Sequence, residues 1–467
     1  MTAFHPPASH VLEPARQTPV FGEYDVVVLG GGPAGIAAAI SAAKGGQRTL
    51  LLESYGFLGG MGTAAGVTNF CGLHANVYGE LRQVVHGVAD DILDRMRAID
   101  GLSTPHVMFA GKTAAQAYDN ASLKIAADQA VVASGAEVLF HALATGVLMR
   151  ENGEISAVLI ETKSGRQAVL GRVFIDCSGD GDLCAYAGAP FEKGADGHEM
   201  MYPSTLFRVN NVDPVRAGDA YNHFGRLMEE AEARGRKFAR KAPIIRPQKN
   251  PVEWRANVTQ LARPDGGPVD GTDARQLSAA ELDGRRQIAD FIGFLREAAP
   301  GFEKAYILDI APQVGIRETR RVLGEYQLTE ADVLECANFD DTIGVNGWMV
   351  EEHLAGNVNF KFQDIPGSRG FNHLPYRMLL PLKVDNLLMA GRCASMTHMG
   401  QSAARVSGGC FVMGQAAGTA AALALRQAVR PRDLRVADLQ ARLEANGAWL
   451  GRTDTPPSPP IVRTEKG

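Results

Sequence analysis

Apolar residues fall along this chain in two rhythms. Short unbroken apolar runs bounded by turn residues predict buried strands, and longer stretches in which small or apolar residues recur every three or four positions predict helices packed on them. Residues 24–29 (YDVVVL) and 49–53 (TLLLE) are strand runs, with a helix rich in small residues over 33–44 between them. Together they predict one βαβ unit. A helix over 119–134 leads into strand runs at 138–140, 146–149 and 156–161, the last two joined by a turn at Asn152-Gly153. Residues 173–176 read as a further short buried strand. From about 190 to 384 the pattern is irregular, with helical stretches around 215–240 and 278–298. At 386–390 (NLLMA) a buried strand returns, and 408–425 is a helix made largely of Gly, Ala and Ser. The chain contains no internal repeat.

This order predicts an α/β fold, with a Rossmann-like dinucleotide-binding domain and an α+β substrate domain inserted into it. The expected boundaries are a flexible leader over 1–21, a discontinuous nucleotide-binding domain over 22–70, 119–190 and 385–430, and a substrate or cap domain over 71–118 and 191–384. A C-terminal helix over 431–451 and a Pro-rich flexible tail over 452–467 complete it.

Bulk properties narrow the function. With 467 residues, 45% hydrophobic and 21% charged, the chain is able to bury a large core. Its net charge of -5 supplies no basic field for a phosphate backbone, so nucleic acid is not an expected partner. No apolar stretch reads as the ~18 residues a bilayer crossing needs, and the first 20 residues lack an apolar signal core, so the expectation is a cytoplasmic protein with no membrane partner. The six cysteines, at 71, 177, 184, 336, 393 and 410, form no CxxC and no metal-ligand spacing. They read as reduced thiols acting as small buried hydrophobes.

The chemistry begins at Gly30-Gly31-Gly32-Pro33-Ala34-Gly35. GxGxxG alone is weak evidence, but here it follows a strand, opens a helix and precedes an acid at the end of the next strand. Gly30 permits a tight turn, Gly32 lets a pyrophosphate approach the backbone, and Gly35 brings helix and strand together; Pro33 and Ala34 start a helix whose N-terminus favours anions. Glu53, 18 residues past Gly35, is placed to accept hydrogen bonds from ribose hydroxyls, which disfavours a 2′-phosphate and leaves FAD or NAD. Two features favour FAD: the run Ser54 to Thr63, with Gly59, Gly60 and Met61, along which an extended cofactor passes, and a strand–helix element more than 330 residues away, suited to a cofactor whose second half needs its own surface.

The segments VVVLGGGPAGIAAAISAAKGGQRTLLLESYGFLGG, FIDCSGDGDLCAYAGAP, GIRETRRVLGEYQLTEADVL and NLLMAGRCASMTHMGQSAARVSGGCFVMGQAAGTAAALAL resemble successive blocks of the FAD-dependent oxidoreductase family, within the glutathione-reductase-like flavoproteins. The resemblance covers about 23 to 430. It implies that Ser178 and Gly179 lie by the adenylate half of FAD. It also implies that Gly391 and Arg392 approach the ribitol and phosphates, and that the turn at Ser407 faces the flavin pyrimidine. Many relatives carry Asp where this chain has Arg392, so that contact differs here.

For the reaction itself, Arg405 before the last helix is placed to stabilise the negative charge of reduced flavin, the alternative being a pair with a surface carboxylate. His398, seven residues earlier, is the candidate for proton transfer while hydride passes to flavin N5; the alternative is a structural histidine. Arg377, His373, Arg208, Tyr376 and His74, with Asn69 and Cys71, are candidate substrate contacts, Cys71 reading more as a buried thiol than a nucleophile. Arg317, Arg320 and Arg321, at helical spacing, read as a solvated or salt-bridged face. No redox CxxxxC, second fingerprint or cysteine cluster is present, and Gly391-Arg392 departs from the GD motif of aromatic hydroxylases. The expected function is an FAD-dependent dehydrogenase or oxidase acting on a small organic molecule, with oxygen or an external acceptor taking the electrons. The alternatives are an FAD-dependent reductase of an unsaturated acid and a protein in which FAD is structural. The sequence is compatible with a homo-oligomer.

Overall fold

The computed structural model describes residues 13–195, 199–363, 368–453 and 456–461. Parts of the expected leader and tail, 1–12, 454–455 and 462–467, lie outside the described residues. A seven-stranded sheet organises the chain. Its central strand, Val20–Leu29, runs parallel to Thr49–Leu52 on one side and to Gly165–Asp176 on the other; Thr49–Leu52 in turn pairs in parallel with Glu137–Leu139. Val26, Val27 and Val28 are fully buried, as a strand covered on both faces requires.

The Gly165–Asp176 strand is shared. Its first half pairs antiparallel with Ile155–Thr162, which pairs with Leu143–Met149, whereas its last three residues pair in parallel with Leu387–Met389. The fold is therefore α/β with a Rossmann-like parallel tract, as the sequence predicts. Two strands are longer than their apolar runs. The first begins at Val20, inside the expected leader, because its backbone pairs with Ala168, and the run 173–176 is the end of a twelve-residue strand whose exposed polar start carries no apolar signal.

Helix Pro33–Lys44 packs along helix Ser407–Gln427, and the contact explains the second helix's composition. A Cβ at Gly414 would stand 2.0 Å from the Ala34 carbonyl oxygen, and one at Gly418 would stand 2.1 Å from that of Ala38. The helices touch backbone to backbone, which small residues alone allow. Helix Ser407–Gln427 is also long and apolar enough to cross a bilayer, contrary to the sequence reading, but 89% of its apolar window is buried inside the fold. Helix Asn120–Ala133 is capped by Asp119, whose side chain accepts from the Ser122 amide.

Beyond residue 200 the structure departs most from the pattern. The stretch 215–240 is not one helix but two, Pro214–Ala217 and Phe224–Ala233, separated by Gly218, whose φ is +47°. A four-stranded antiparallel sheet, in the order Ile244–Pro247, Trp254–Asn257, Phe207–Asn210, Tyr306–Ile310, falls within the segment expected as the cap. Helix Ala274–Ala298 buries Phe291, Phe294 and Leu295 with Phe207, Trp254 and Phe302 in one core. The helical spacing of Arg317, Arg320 and Arg321 misleads: no helix forms there, and Arg321 lies in the short strand Arg321–Val322. Of the expected helix 431–451, Val436–Ala445 is α-helical, after a single 3-10 turn at Pro431–Asp433. Val88, Ile92 and Met96 share a core with Ile36 and Ile40 of the first helix.

Candidate active site

The site is assembled where the parallel strands end. Gly30 has φ +96°, and a Cβ there would stand 2.4 Å from the Cys177 carbonyl oxygen, so turn and neighbouring strand meet closely at a residue without a side chain. Gly35 packs directly against the Gly30 carbonyl. Helix Pro33–Lys44 then starts from extended Gly32, and no side chain caps its first turn. The Gly59-Gly60 loop folds onto this turn. The Gly59 amide donates to the Gly31 carbonyl at 2.8 Å, and a Cβ on Gly60 would stand 2.7 Å from the Gly32 Cα. Buried Glu53 holds the same loop, its Oε2 accepting from the Gly31 amide at 2.7 Å and its Oε1 from the Tyr55 amide and the Ser54 hydroxyl. Met61 Sδ accepts from Gln313 at 3.7 Å.

The other two blocks arrive by strand pairing. Asp176, fully buried and not singled out by the sequence, accepts at Oδ1 from the amide and hydroxyl of Ser178 and at Oδ2 from the Cys184 amide, shaping the turn that holds Ser178 and Gly179. Gly391, with φ +88°, faces Ala34 across a gap in which a Cβ would lie 3.0 Å from the alanine methyl. Arg392 reaches back over Gly179, donating to Asp180 at 2.9 Å and to Thr319 at 3.1 Å. The guanidinium is thus anchored by protein where many relatives place a carboxylate.

Helix His398–Ala404, capped by Thr397, and helix Ser407–Gln427 meet at Arg405. Ser407 Oγ accepts from the Cys71 amide and donates to the Cys71 carbonyl, each at 3.0 Å, which brings the loop of Asn69 and Cys71 to the head of the last helix. Arg405 Nε and Nη2 are buried and find no hydrogen-bond partner among the described residues. Burial lowers the Arg405 pKa, against the charges of Glu351 and Glu318. His398 is buried with Nδ1 2.8 Å from Glu318 Oε2 and Nε2 3.7 Å from Glu352 Oε1. Glu318 also accepts from Arg321 Nε at 2.9 Å and from the Met201 amide at 3.0 Å. Burial pushes this carboxyl up, but His398 and Arg321 outweigh it and hold it below the usual carboxylate range.

The remaining candidates scatter. Arg208 sits on the cap sheet, paired with Asp309 at 2.6 Å and Glu253 at 2.7 Å. Arg377 pairs with Asp341 at 3.0 Å and lines a surface cleft of about 420 Å³ with Asn338 and Phe339. His373 accepts from the Phe339 amide and faces the Gly451 carbonyl, beside a second cleft of about 430 Å³. Neither cleft is lined by the glycine turn, His398 or Arg405. The Tyr376 hydroxyl donates to the Pro431 carbonyl. His74 is buried, its Nδ1 unpartnered among the described residues, and burial holds its pKa down at about 4. The part-buried Cys71 thiol is pushed up to about 12 by burial. All six cysteines are free, and the other five are buried. Arg317 and Arg321 are buried rather than solvated, whereas Arg320 pairs with Asp182 at 2.8 Å.

Residues 25–443 match the FAD dependent oxidoreductase family. The chain is 29% identical over 192 residues to thiamine thiazole synthase of Methanococcus vannielii, covering 40% of this chain and 61% of that protein. It is 57% identical over 45 residues to dihydrolipoyl dehydrogenase of Trypanosoma brucei brucei, covering 10% of this chain and 9% of that protein. The chain thus spans less than two thirds of each of these curated relatives. Similar solved structures include a geranylgeranyl bacteriochlorophyll reductase-like protein from Thermoplasma acidophilum, at 14% identity, TM-score 0.47, 91% of this chain and 83% of that one. Another is p-nitrophenol 4-monooxygenase from Pseudomonas putida, at 11% identity, TM-score 0.44, 91% of this chain and 88% of that one.

Proposed function

The chain belongs to the FAD dependent oxidoreductase family, and from that premise we propose that it takes a hydride equivalent from a small organic substrate and passes the electrons to oxygen or another external acceptor. One observation carries the reading: at the head of the last helix a buried cation with unmatched nitrogens, Arg405, follows closely on a histidine seated against a carboxylate, His398 on Glu318. FAD, when bound, supplies the two-electron chemistry.

The residues present fit that cofactor, since a Cβ would collide with the backbone at Gly30 and Gly35, one on Gly32 would meet only Gly60 at 3.6 Å and so leaves room for a ligand, and the helix that follows is uncapped. Gly30, Gly32, Pro33, Ala34, Gly35 and Glu53 would hold the adenylate and pyrophosphate, with Ser54, Gly59, Gly60 and Met61 along the cofactor's path. Ser178 and Gly179 would lie by the adenylate half, Gly391 and Arg392 by the ribitol and phosphates, and Ser407 by the flavin. Arg405, its guanidinium fixed and buried, would favour negative charge on the reduced flavin. Glu318 accepts a hydrogen bond from His398 Nδ1–H and orients the ring, which leaves Nε2, 3.7 Å from Glu352, as the nitrogen that would take a proton from substrate. In this reading the chain is a glutathione-reductase-like flavoprotein whose substrate domain is the segment around the four-stranded cap sheet.

Reduction of an unsaturated acid is the same chemistry reversed, with His398 giving the proton, and the buried arginines described below favour an acid in either direction. Purified protein should be yellow and release FAD, not FMN, on denaturation. Anaerobic mixing with candidate metabolites should bleach the flavin; a cofactor that no small organic compound reduces or reoxidises would make FAD structural and end the proposal.

A further inference from the structure

The cap sheet carries a row of charges that its own strands do not balance. Arg246, Arg255, Arg208 and Asp309 are direct cross-strand neighbours on four successive strands. Like charges placed opposite one another oppose pairing unless something compensates them. Arg208 is compensated by Asp309 and Glu253, and Arg246 lies over the Tyr221 ring at 5.0 Å. Arg255, in the middle of the row and 6% exposed, gives one bond to a backbone carbonyl, that of Val67, the residue that leads from the Gly59-Gly60 loop toward Cys71.

Two further arginines share its situation. Arg240, 2% exposed, donates to the Ala242 carbonyl and to the Asn257 side chain; Arg317, 8% exposed, donates to the Tyr202 carbonyl and the Ser204 hydroxyl. All of these partners are neutral. Arg255 Nε and Arg240 Nη2 have no partner among the described residues. The charge of Glu351 reaches Arg240, Arg255, Arg317 and Arg405 alike, so four guanidinium groups share it. Glu351 is itself engaged by Trp348 Nε1 at 2.8 Å and His353 at 3.1 Å. Buried charge left without a counter-ion is costly, and a ligand anion supplies what the fold does not.

We propose that the substrate is a small dicarboxylate, bound by Arg240, Arg255 and Arg317 between the cap sheet and the Cys71–Arg405 region; this rests on the oxidoreductase reading above. A carboxylate at each end lets one small ligand answer both guanidinium groups of this set that keep an unmatched nitrogen among the described residues, Arg255 and Arg240. A carbon skeleton between the two acids also provides the C–H bond that the proposed reaction needs.

The test uses FAD-loaded protein at low ionic strength, titrated separately with succinate, acetate and inorganic phosphate and followed by the flavin absorption spectrum and by Tm. Succinate should bind saturably, at least tenfold tighter than acetate or phosphate, and should raise Tm. Arg255→Gln and Arg240→Gln should each weaken succinate at least tenfold with FAD content unchanged, and Arg255→Lys should recover part of the loss. Equal binding of succinate and acetate, tighter binding of phosphate, or succinate affinity unchanged in both Gln variants would overturn the proposal. The two levels of inference fail separately. Rapid bleaching by a neutral metabolite, undiminished in Arg255→Gln, removes the dicarboxylate and leaves the oxidoreductase. Arginine-dependent succinate binding with no acid ever turned over removes the hydride reaction and leaves the anion site.

Discussion

Arg405 and His398 stand seven residues apart in sequence, and the structure gives them opposite kinds of surroundings. Arg405 has two buried nitrogens without a hydrogen-bond partner among the described residues, whereas His398 has carboxylates by both ring nitrogens. Removing each should therefore fail in a different way. Arg405→Ala should lower the flavin reduction potential by roughly 30–60 mV, the equivalent of about 1.5–3 kcal/mol for one charge-assisted hydrogen bond in a two-electron couple. It should also weaken the sulfite adduct; a spectroelectrochemical titration that finds the potential unchanged would place Arg405 away from the flavin. His398→Ala should slow anaerobic flavin reduction by substrate by roughly 10²-fold or more with FAD still bound, the scale of general acid–base assistance. Loss of FAD or of stability with the reduction rate intact would make this histidine structural. His74 gives a pH signature instead. Its folded pKa, about 4, lies below the usual histidine value, so its burial contributes stability above pH 6.5 that is lost as the pH falls toward 4. Denaturant titrations should show His74→Leu losing up to about 3 kcal/mol less than the wild type over that interval.

At the scale of elements, the contact between helices Pro33–Lys44 and Ser407–Gln427 couples the glycine turn to the Arg405 junction. Gly418→Ala would push a methyl to 2.1 Å from the Ala38 carbonyl, so the helices must separate. The expected cost is about 1–3 kcal/mol, read as a lower urea midpoint with an unchanged slope, together with weaker FAD retention because the turn above the first helix moves too. A variant as stable as wild type would mean that the helices have room to part. The small-residue composition of the last helix was legible in the sequence, and its reason is the carbonyls of Ala34 and Ala38, against which it packs. The cap sheet was not legible. In FRVN and WRAN, arginine alternates with apolar residues over four positions, a pattern that turns and loops produce as readily as strands. Pairing across positions as distant as 208 and 309 is what makes them a sheet.

For the whole molecule, one dinucleotide fingerprint implies one dinucleotide site, so stopped-flow mixing with NADH or NADPH should reduce the flavin slowly and without saturation. Rapid saturable reduction would require a nicotinamide site that the glycine pattern does not announce. The sequence by itself determined the βαβ unit, the glycine turn with Glu53, the buried strand Leu387–Met389 and the helix that follows it, and with them the FAD-binding family. Each of these is a local necessity: a turn that only glycine can make, an apolar run that must be covered on both faces, a helix with no side chains to hold its partner away. The tertiary structure decided the rest. Glu318 meets His398 across 80 positions, Arg392 closes on Asp180, and Arg240, Arg255, Arg317 and Arg405 come to share Glu351. Charge acts through space and burial depends on the whole fold, so a buried arginine without a counter-ion reads along the chain like any surface arginine.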